Sequence, residues 1–188
     1  MLQEIGRYLN QISSLVLKIP SENIERLANI LLKAYKNGNR VFIFGNGGGA
    51  STSSHFACDL AKGTATPGKP RLKAVSLSDN VPLITAWAND TDYTNTFGEQ
   101  LRNLVEKDDV VMGLSGSGMS PNVINAFKVA NRAGAVSVLL SGFRGGEAVK
   151  VADSSIVVPS EDMQQIEDIH LMLCHIVFRM IKSRIQGG

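Results

Sequence analysis

A chain of 188 residues with 44% hydrophobic and 19% charged residues has the composition of one globular domain rather than of a disordered segment. Its formal net charge of +2, without a cluster of lysines and arginines, indicates no nucleic-acid partner. No apolar run is long enough to cross a membrane, and the first five residues lack the features of a signal peptide. The two cysteines, Cys58 and Cys174, fall in helical patterns, so we expect reduced core thiols and a cytoplasmic location. The lack of a long apolar run also leads us to expect no membrane partner.

The first 36 residues predict two amphipathic helices, 2–17 and 21–36, which Pro20 separates. Ser21 is the expected N-cap of the second helix. Apolar residues recur in both at spacings of three and four residues. Because both helices precede the first strand, we expect residues 1–36 to form a helical extension of a single domain, residues 1–188. This extension would cover either the edge of the sheet or a second subunit.

Five apolar segments predict the strands of a parallel sheet, and three of them are followed by loops of small residues. The segments are 41–44, 73–77, 109–115, 135–140 and 155–158. Helical patterns lie between them, a short helix is expected from Glu147, and a long helix is expected from about residue 164 to residue 184. The predicted class is α/β, a three-layer doubly wound sheet of about five parallel strands flanked by helices. Ligands of such sheets bind beyond the carboxyl ends of the strands.

The loop after the first predicted strand, residues 45–51, carries the strongest functional signal. Its glycines let a ligand approach the backbone, and the following helix directs free N–H groups and its positive end at the loop. On that helix, His55 and Asp59 are four residues apart and therefore share one face. A dinucleotide site is weakly indicated, since no acidic residue follows at the required distance, and the loop lacks the Gly-Lys-Ser/Thr ending of a nucleotide P-loop. A sugar-phosphate cradle needs neither feature.

A second loop, residues 115–120, combines glycine with Ser115, Ser117 and Ser120. Since Ser120 precedes Pro121 at a helix start, it is the expected N-cap, and its hydroxyl would bind an anion together with the other two serines. The structural alternative is a tight turn between a strand and a helix.

The C-terminal helix carries three ionisable candidates, Glu167, His170 and His175. The stretch around His175 is largely apolar, so this histidine is either a buried core residue or part of a site. Glu167 lies about 80° from His175 around the helix axis, which is compatible with a shared ligand, whereas His170 lies about 140° away. We therefore expect His170 to be structural or to lie at a subunit interface. His55 and Asp59 also have a structural alternative, as ordinary polar residues of a helix.

Taken in order, these motifs resemble the phosphoheptose isomerases of the sugar isomerase (SIS) domain superfamily. The resemblance covers almost the whole chain and includes residues 46–48, 55–59, 77–79, 88–90, 115–120, 145–146 and 166–175. It implies isomerisation of sedoheptulose 7-phosphate to D-glycero-D-manno-heptose 7-phosphate for bacterial surface glycans. It also implies a homotetramer with active sites between subunits, and in some members a zinc ion.

Carried over residue by residue, the resemblance implies acid–base roles for Asp59 and His175. It implies that one Zn²⁺ ion per subunit binds His55, Asp59, Glu167 and His175. The substrate-binding residues that it implies are Asn46, Gly47, Gly48, Asn89, Asp90, Ser115, Gly116, Ser117, Ser120 and Glu167. The chain departs from the family at Asp59, Glu167 and Gly49, where glutamate, glutamine and serine are usual, and an arginine is replaced around residues 62–63. These departures leave the identity of the sugar open.

Two other functions remain open from the sequence. One is a non-catalytic tetrameric adaptor that associates with a replication initiator; SIS proteins of that kind lack the second histidine, which this chain keeps as His175. The other is an isomerase or sensor of a different sugar phosphate. Isomerisation through an enediolate needs a base and an acid close together, and a divalent ion would polarise the carbonyl. The two histidines and two carboxylates suit both an open catalytic zinc site and a closed structural one.

Overall fold

The computed structural model describes residues 1–187, whose strands form a single sheet of five parallel strands in the order β2-β1-β3-β4-β5. The strands are β1 (Arg40–Gly45), β2 (Lys73–Ser76), β3 (Val110–Ser115), β4 (Val136–Ser141) and β5 (Ser154–Val157). Every predicted strand is confirmed within one residue at either end. The strand order switches direction between β1 and β3, which pair directly. Their carboxyl ends carry the glycine loop and the serine loop, at the place where such sheets bind ligands.

In residues 1–187, seven helices accompany the sheet, and they confirm the three-layer α/β class. They are α1 (Leu2–Val16), α2 (Ser21–Asn37), α3 (Gly48–Cys58), α4 (Val81–Asp90), α5 (Thr96–Leu104), α6 (Pro121–Ala133) and α7 (Met163–Gly187). A π-helical turn, Asp59–Gly63, continues α3, and 3-10 turns lie at Tyr93–Asn95 and Ala148–Lys150.

Four local predictions were wrong. Residues 48–51 form the first turn of α3 and are not part of the loop. Ser21 is the first residue of α2 and Pro20 is its N-cap, without a side-chain hydrogen bond. The short helix expected from Glu147 is only a 3-10 turn. Cys58 is exposed, whereas Cys174 is a core thiol, and burial raises the pKa of Cys174.

The core lies on both faces of the sheet, because successive residues of a strand point to opposite faces. Val41 and Ile43 of β1 pack with apolar residues of α2, α3 and α7. Phe42 and Phe44 pack with α5 and α6, and the rings of Phe44 and Phe97 lie 4.9 Å apart. The face that packs against Val41 and Ile43 therefore holds α3 and α7 on the same side of the sheet.

The helices of residues 1–36 differ in their relation to the core. Leu27 and Leu31 of α2 are fully buried in it, so this helix belongs to the domain proper. By contrast, α1 leaves Ile5 and Leu9 more than half exposed. The Tyr8 hydroxyl ties α1 to α7 by donating a 2.6 Å hydrogen bond to Asp168, which raises the pKa of Tyr8 to about 12. None of the helices within residues 1–187 is both long and apolar enough to span a membrane.

Candidate active site

Three side chains from α3, the π-helical turn and α7 converge on one point. The Nε2 atoms of His55 and His175 lie 3.3 Å apart. The Oδ2 atom of Asp59 lies 3.5 Å from Nε2 of His55 and 3.8 Å from Nε2 of His175. The two imidazole side chains are nearly half exposed, at 49% and 46%, and Asp59 is less so, at 23%. The structure therefore brings together three of the four predicted metal ligands and both predicted acid–base residues.

Packing between α3 and α7 creates this convergence. Phe56 and Leu60 are fully buried beside His55 and Asp59, and Cys174 is buried beside His175. The π-helical turn begins at Asp59, and such turns are frequent at functional sites. The polar side chains consequently emerge at the rim of an apolar helix–helix contact, where they are only partly exposed to water.

The geometry of this cluster suits a divalent metal ion. Tetrahedral zinc with ligand bonds of about 2.1 Å places its ligand atoms about 3.4 Å from one another. The three distances in the cluster, 3.3, 3.5 and 3.8 Å, lie close to that value. Two imidazole nitrogens and one carboxylate oxygen are also a donor set that zinc prefers. Three protein ligands leave a fourth position open, as in catalytic rather than closed structural sites.

Glu167, the fourth ligand predicted from the sequence, does not join this cluster. Its carboxylate lies against Gly48, at the start of α3, so closely that a Cβ atom on residue 48 would overlap it. The angular spacing on α7 is compatible with a shared ligand, but eight residues of helical rise separate Glu167 and His175 by about 12 Å. Within one chain, the prediction of a common metal ion is therefore corrected to His55, Asp59 and His175.

The glycine loop begins α3 and orients Asn46. Gly47 has φ +53° and is the N-cap of α3, a backbone conformation that favours glycine. The Asn46 amide exchanges two hydrogen bonds with Asn122 of α6, at 3.0 and 2.9 Å, and also accepts one from the Tyr93 hydroxyl at 3.0 Å. Because Glu167 contacts Gly48, the anion position expected at this helix start already faces a carboxylate of the same chain.

The serine loop lies at the neighbouring strand end. Ser120 is the N-cap of α6, as predicted, but its side chain makes no capping hydrogen bond. Instead, the Ser115 hydroxyl donates to the Ser120 hydroxyl at 2.9 Å, and the Ser117 hydroxyl accepts from the backbone N–H of Met119 at 3.2 Å. Gly116 follows Ser115 directly and accepts a hydrogen bond from the Gly142 N–H at 2.7 Å. This hydrogen bond connects the loop after β4 to the loop after β3.

Other predicted residues lie apart from these contacts. Asn89 and Asp90 are exposed at the end of α4, and the Asn89 amide donates to Asp90 at 2.9 Å. His170 is only 2% exposed, and burial lowers its pKa to about 4, although the nearby Ser141 carbonyl opposes that shift. This burial confirms that His170 is structural and does not belong to the cluster. The sequence pattern does not single out Asn122 or Tyr93, since an asparagine after Pro121 is an ordinary residue for a helix start.

Known proteins show the same organisation. Residues 7–142 match the family model of the SIS domain, which defines the class of this protein. Phosphoheptose isomerase from Thermodesulfovibrio yellowstonii is 36% identical over 160 residues, 85% of this chain and 79% of that protein. A probable phosphoheptose isomerase from Thermoplasma acidophilum is 35% identical over 178 residues, 95% of this chain and 97% of that protein.

A solved structure agrees with these sequence relatives. The structure of phosphoheptose isomerase from Neisseria gonorrhoeae has a TM-score of 0.89 and 29% identity, covering 97% of this chain and 100% of that one. The chain therefore belongs to the phosphoheptose isomerase family of SIS-domain proteins. The resemblance found in the sequence motifs is confirmed at the level of family and fold.

Proposed function

We propose that this protein is an aldose–ketose isomerase that converts sedoheptulose 7-phosphate to D-glycero-D-manno-heptose 7-phosphate in the cytoplasm, for a bacterial surface glycan. The observation that supports this most strongly is the convergence of His55, Asp59 and His175 at the rim of the α3–α7 contact. The names of the family's relatives support the seven-carbon substrate.

Two ionisable groups are enough for the proton transfers. One of Asp59 and His175 removes a proton from C1 of the ketose while the other protonates O2, which gives an enediol. The same groups then remove the proton of O1 and return a proton to C2, so that the aldose forms with no net change in protons. Such positioned acid–base catalysis contributes about 10²- to 10⁴-fold to the rate.

A Zn²⁺ ion fits the three-residue cluster, and when bound it would polarise the substrate carbonyl. His55, Asp59 and His175 would hold it. The near-tetrahedral spacing of their donor atoms supports this proposal, and so does the partial exposure of both imidazoles, which leaves them accessible to a ligand.

The phosphate is proposed to bind at the serine loop, with Ser115, Ser117 and Ser120 and the start of α6. Among residues 1–187, the backbone N–H groups of Ser117 and Ser120 donate no hydrogen bond. The sugar would lie between the serine loop and the cluster of His55, Asp59 and His175, since about 10 Å of helix separates Gly48 from His55. There it would contact Asn46, Gly47 and Gly48. We propose the same for Gly116, Asn89, Asp90 and Glu167.

The site is proposed to be completed in a homotetramer. Within one chain, the imidazoles of His55 and His175 are nearly half exposed, so they offer a substrate little protection from water. Helix α4 has no buried residue, although it contains Val81, Leu83 and Trp87, and α1 exposes Ile5 and Leu9. Apolar surface of this extent is typical of an interface between subunits.

The decisive experiment is incubation of the purified protein with sedoheptulose 7-phosphate in deuterated water, followed by NMR. The incubation is run in two arms, one with and one without added zinc. We expect the aldose to appear with deuterium at C2. Binding of the sugar phosphate without any aldose would indicate a sensor or adaptor and would overturn the proposal. Conversion of a hexose phosphate but not of the heptulose would support an aldose–ketose isomerase and would refute the seven-carbon substrate.

A further inference from the structure

The orientation of the Asn46 amide is determined by a chain of hydrogen bonds that starts from the backbone. The N–H of Val123 donates to Oδ1 of Asn122 at 3.0 Å. The same N–H also donates to the Ser120 carbonyl at 3.1 Å, and because a backbone N–H can only donate, its contact with Asn122 favours the orientation in which the amide oxygen faces Val123. Asn122 is 1% exposed, so no water competes for these positions.

Asn122 in turn orients Asn46. Its Nδ2 donates to Oδ1 of Asn46 at 2.9 Å, and its Oδ1 accepts from Nδ2 of Asn46 at 3.0 Å. The Tyr93 hydroxyl donates to the same Oδ1 of Asn46 at 3.0 Å. Both lone pairs of the Asn46 oxygen are therefore used, and one of its two amide hydrogens is used as well. One N–H donor is all that the side chain of Asn46 can still offer to a ligand.

That remaining donor lies at the junction of the two loops. Asn46 directly follows β1 in its connection to α3, and Asn122 is the second residue of α6, which begins directly after the serine loop. Because His55 lies about 10 Å along α3 from its start, the donor faces a part of the ligand remote from the carbons that exchange protons.

We infer that Asn122 and Tyr93 are positioning residues that hold Asn46 as a hydrogen-bond donor to a sugar-phosphate oxygen remote from the reacting carbons. The inference rests on the proposed function. It assigns to Asn46 a contribution to ground-state binding, which changes KM and leaves kcat nearly unaltered. Tyr93 acts only through Asn46, although its side chain is 52% exposed beside the site.

The test is a double-mutant cycle with Tyr93→Phe and Asn46→Ala, read as KM and kcat for sedoheptulose 7-phosphate. Tyr93→Phe keeps the ring and removes the one donor, so its KM should rise about 3- to 10-fold, with kcat within about twofold. In the Asn46→Ala background the same substitution should change KM no further, because the amide on which it acts is absent. Tyr35→Phe, in α2 away from both loops, is the matched control.

A second variant separates donor from acceptor chemistry at residue 46. Asn46→Asp can still accept hydrogen bonds from Asn122 and Tyr93, but it offers no N–H to the ligand. Because one carboxylate oxygen replaces the N–H that donates to Oδ1 of Asn122, this variant should melt below wild type, and it should raise KM more than Tyr93→Phe does. If the effects of Tyr93→Phe and Asn46→Ala on KM are additive, or if Tyr93→Phe leaves KM unchanged, the inference is overturned. Turnover by the wild type would still support the isomerase in either case. Absence of wild-type turnover would refute the proposed function, and with it the ground on which this inference rests.

Discussion

The Nε2 atoms of His55 and His175 lie 3.3 Å apart, although 120 residues separate the two histidines in the sequence. Two imidazole nitrogens at this distance either share a proton or direct lone pairs at a common cation. The Asp59 carboxylate beside both rings stabilises positive charge in either case. The same three side chains can therefore transfer protons and bind a metal ion, and separate experiments distinguish the two roles.

The acid–base role predicts that Asp59→Asn and His175→Ala each lower kcat about 100-fold or more and leave the protein folded. Asparagine keeps the shape of the side chain but cannot accept a proton at neutral pH. Turnover of sedoheptulose 7-phosphate and circular dichroism are the measurements. Asp168→Asn, on the outer side of α7 where it binds Tyr8, is the control and should keep its activity. Near-wild-type turnover in either variant would remove that residue from the mechanism.

The metal role predicts up to one zinc per chain in protein purified without chelators. Elemental analysis should show that the ion is lost when His55 and His175 are both replaced by alanine, since one carboxylate alone binds zinc weakly. His170→Phe, which alters a buried histidine outside the cluster, should retain the metal. Full activity in chelator with no zinc detected would reject the metal and would not affect the acid–base assignment.

The serine loop predicts a change in substrate affinity. Replacing Ser115 and Ser117 by alanine should raise KM at least 10-fold, since two hydroxyl contacts to a phosphate dianion are removed. The melting temperature should fall by only a few degrees, because the lost Ser115–Ser120 hydrogen bond contributes about 1 kcal/mol. A collapse in stability with unchanged binding would show that the loop is structural.

His170 makes stability depend on pH. Burial lowers its pKa to about 4 from 6.5, so between these values the unfolded chain binds a proton that the folded chain does not. The contribution of His170 to the free energy of unfolding is therefore complete above pH 6.5 and is lost as the pH falls toward 4. The total loss is about 3 kcal/mol. Urea unfolding at pH 7.5 and 4.5 should show a smaller pH effect in His170→Phe than in wild type. An equal effect in both proteins would contradict this explanation.

The strands could be predicted from the sequence because a parallel strand is buried on both faces and leaves a continuous apolar run. The start of α3 could not, since Gly48, Gly49 and Ser51 are poor helix formers. Packing decides there: a Cβ atom on Gly49 would lie 3.2 Å from the Leu114 carbonyl oxygen, so the residue that fits is one that propensity disfavours. Helices α4 and α5 were expected only in general, as helical segments between strands, and their bounds could not be predicted because these short segments carry turn-forming asparagine and threonine.

The candidate site was predictable only in part. The spacing of four residues between His55 and Asp59 specifies a shared helical face, which the structure confirms. Angular position on α7 was a poor guide for Glu167, because it ignores the distance along the helix axis. The Asn46–Asn122 pair joins residues that are 76 apart, and nothing in the sequence indicates which asparagines meet.

The exposed apolar surface predicts assembly. Val81 is 60% exposed on a helix with no buried residue, and Leu9 is 62% exposed on α1. Four identical chains usually bury such surfaces in closed dihedral symmetry. Sedimentation should therefore show a particle of about four times 20.2 kDa.

Shared sites in that tetramer predict complementation between inactive variants. Asp59→Asn disables the acid–base pair, and the double replacement of Ser115 and Ser117 disables the phosphate loop. If each active site draws these groups from different subunits, mixed tetramers contain some sites with neither defect. Unfolding and refolding the two variants together should then restore part of the turnover, whereas either variant refolded alone stays impaired. A stable monomer with full activity would contradict both the interface and the shared site, because a single chain would then suffice for catalysis.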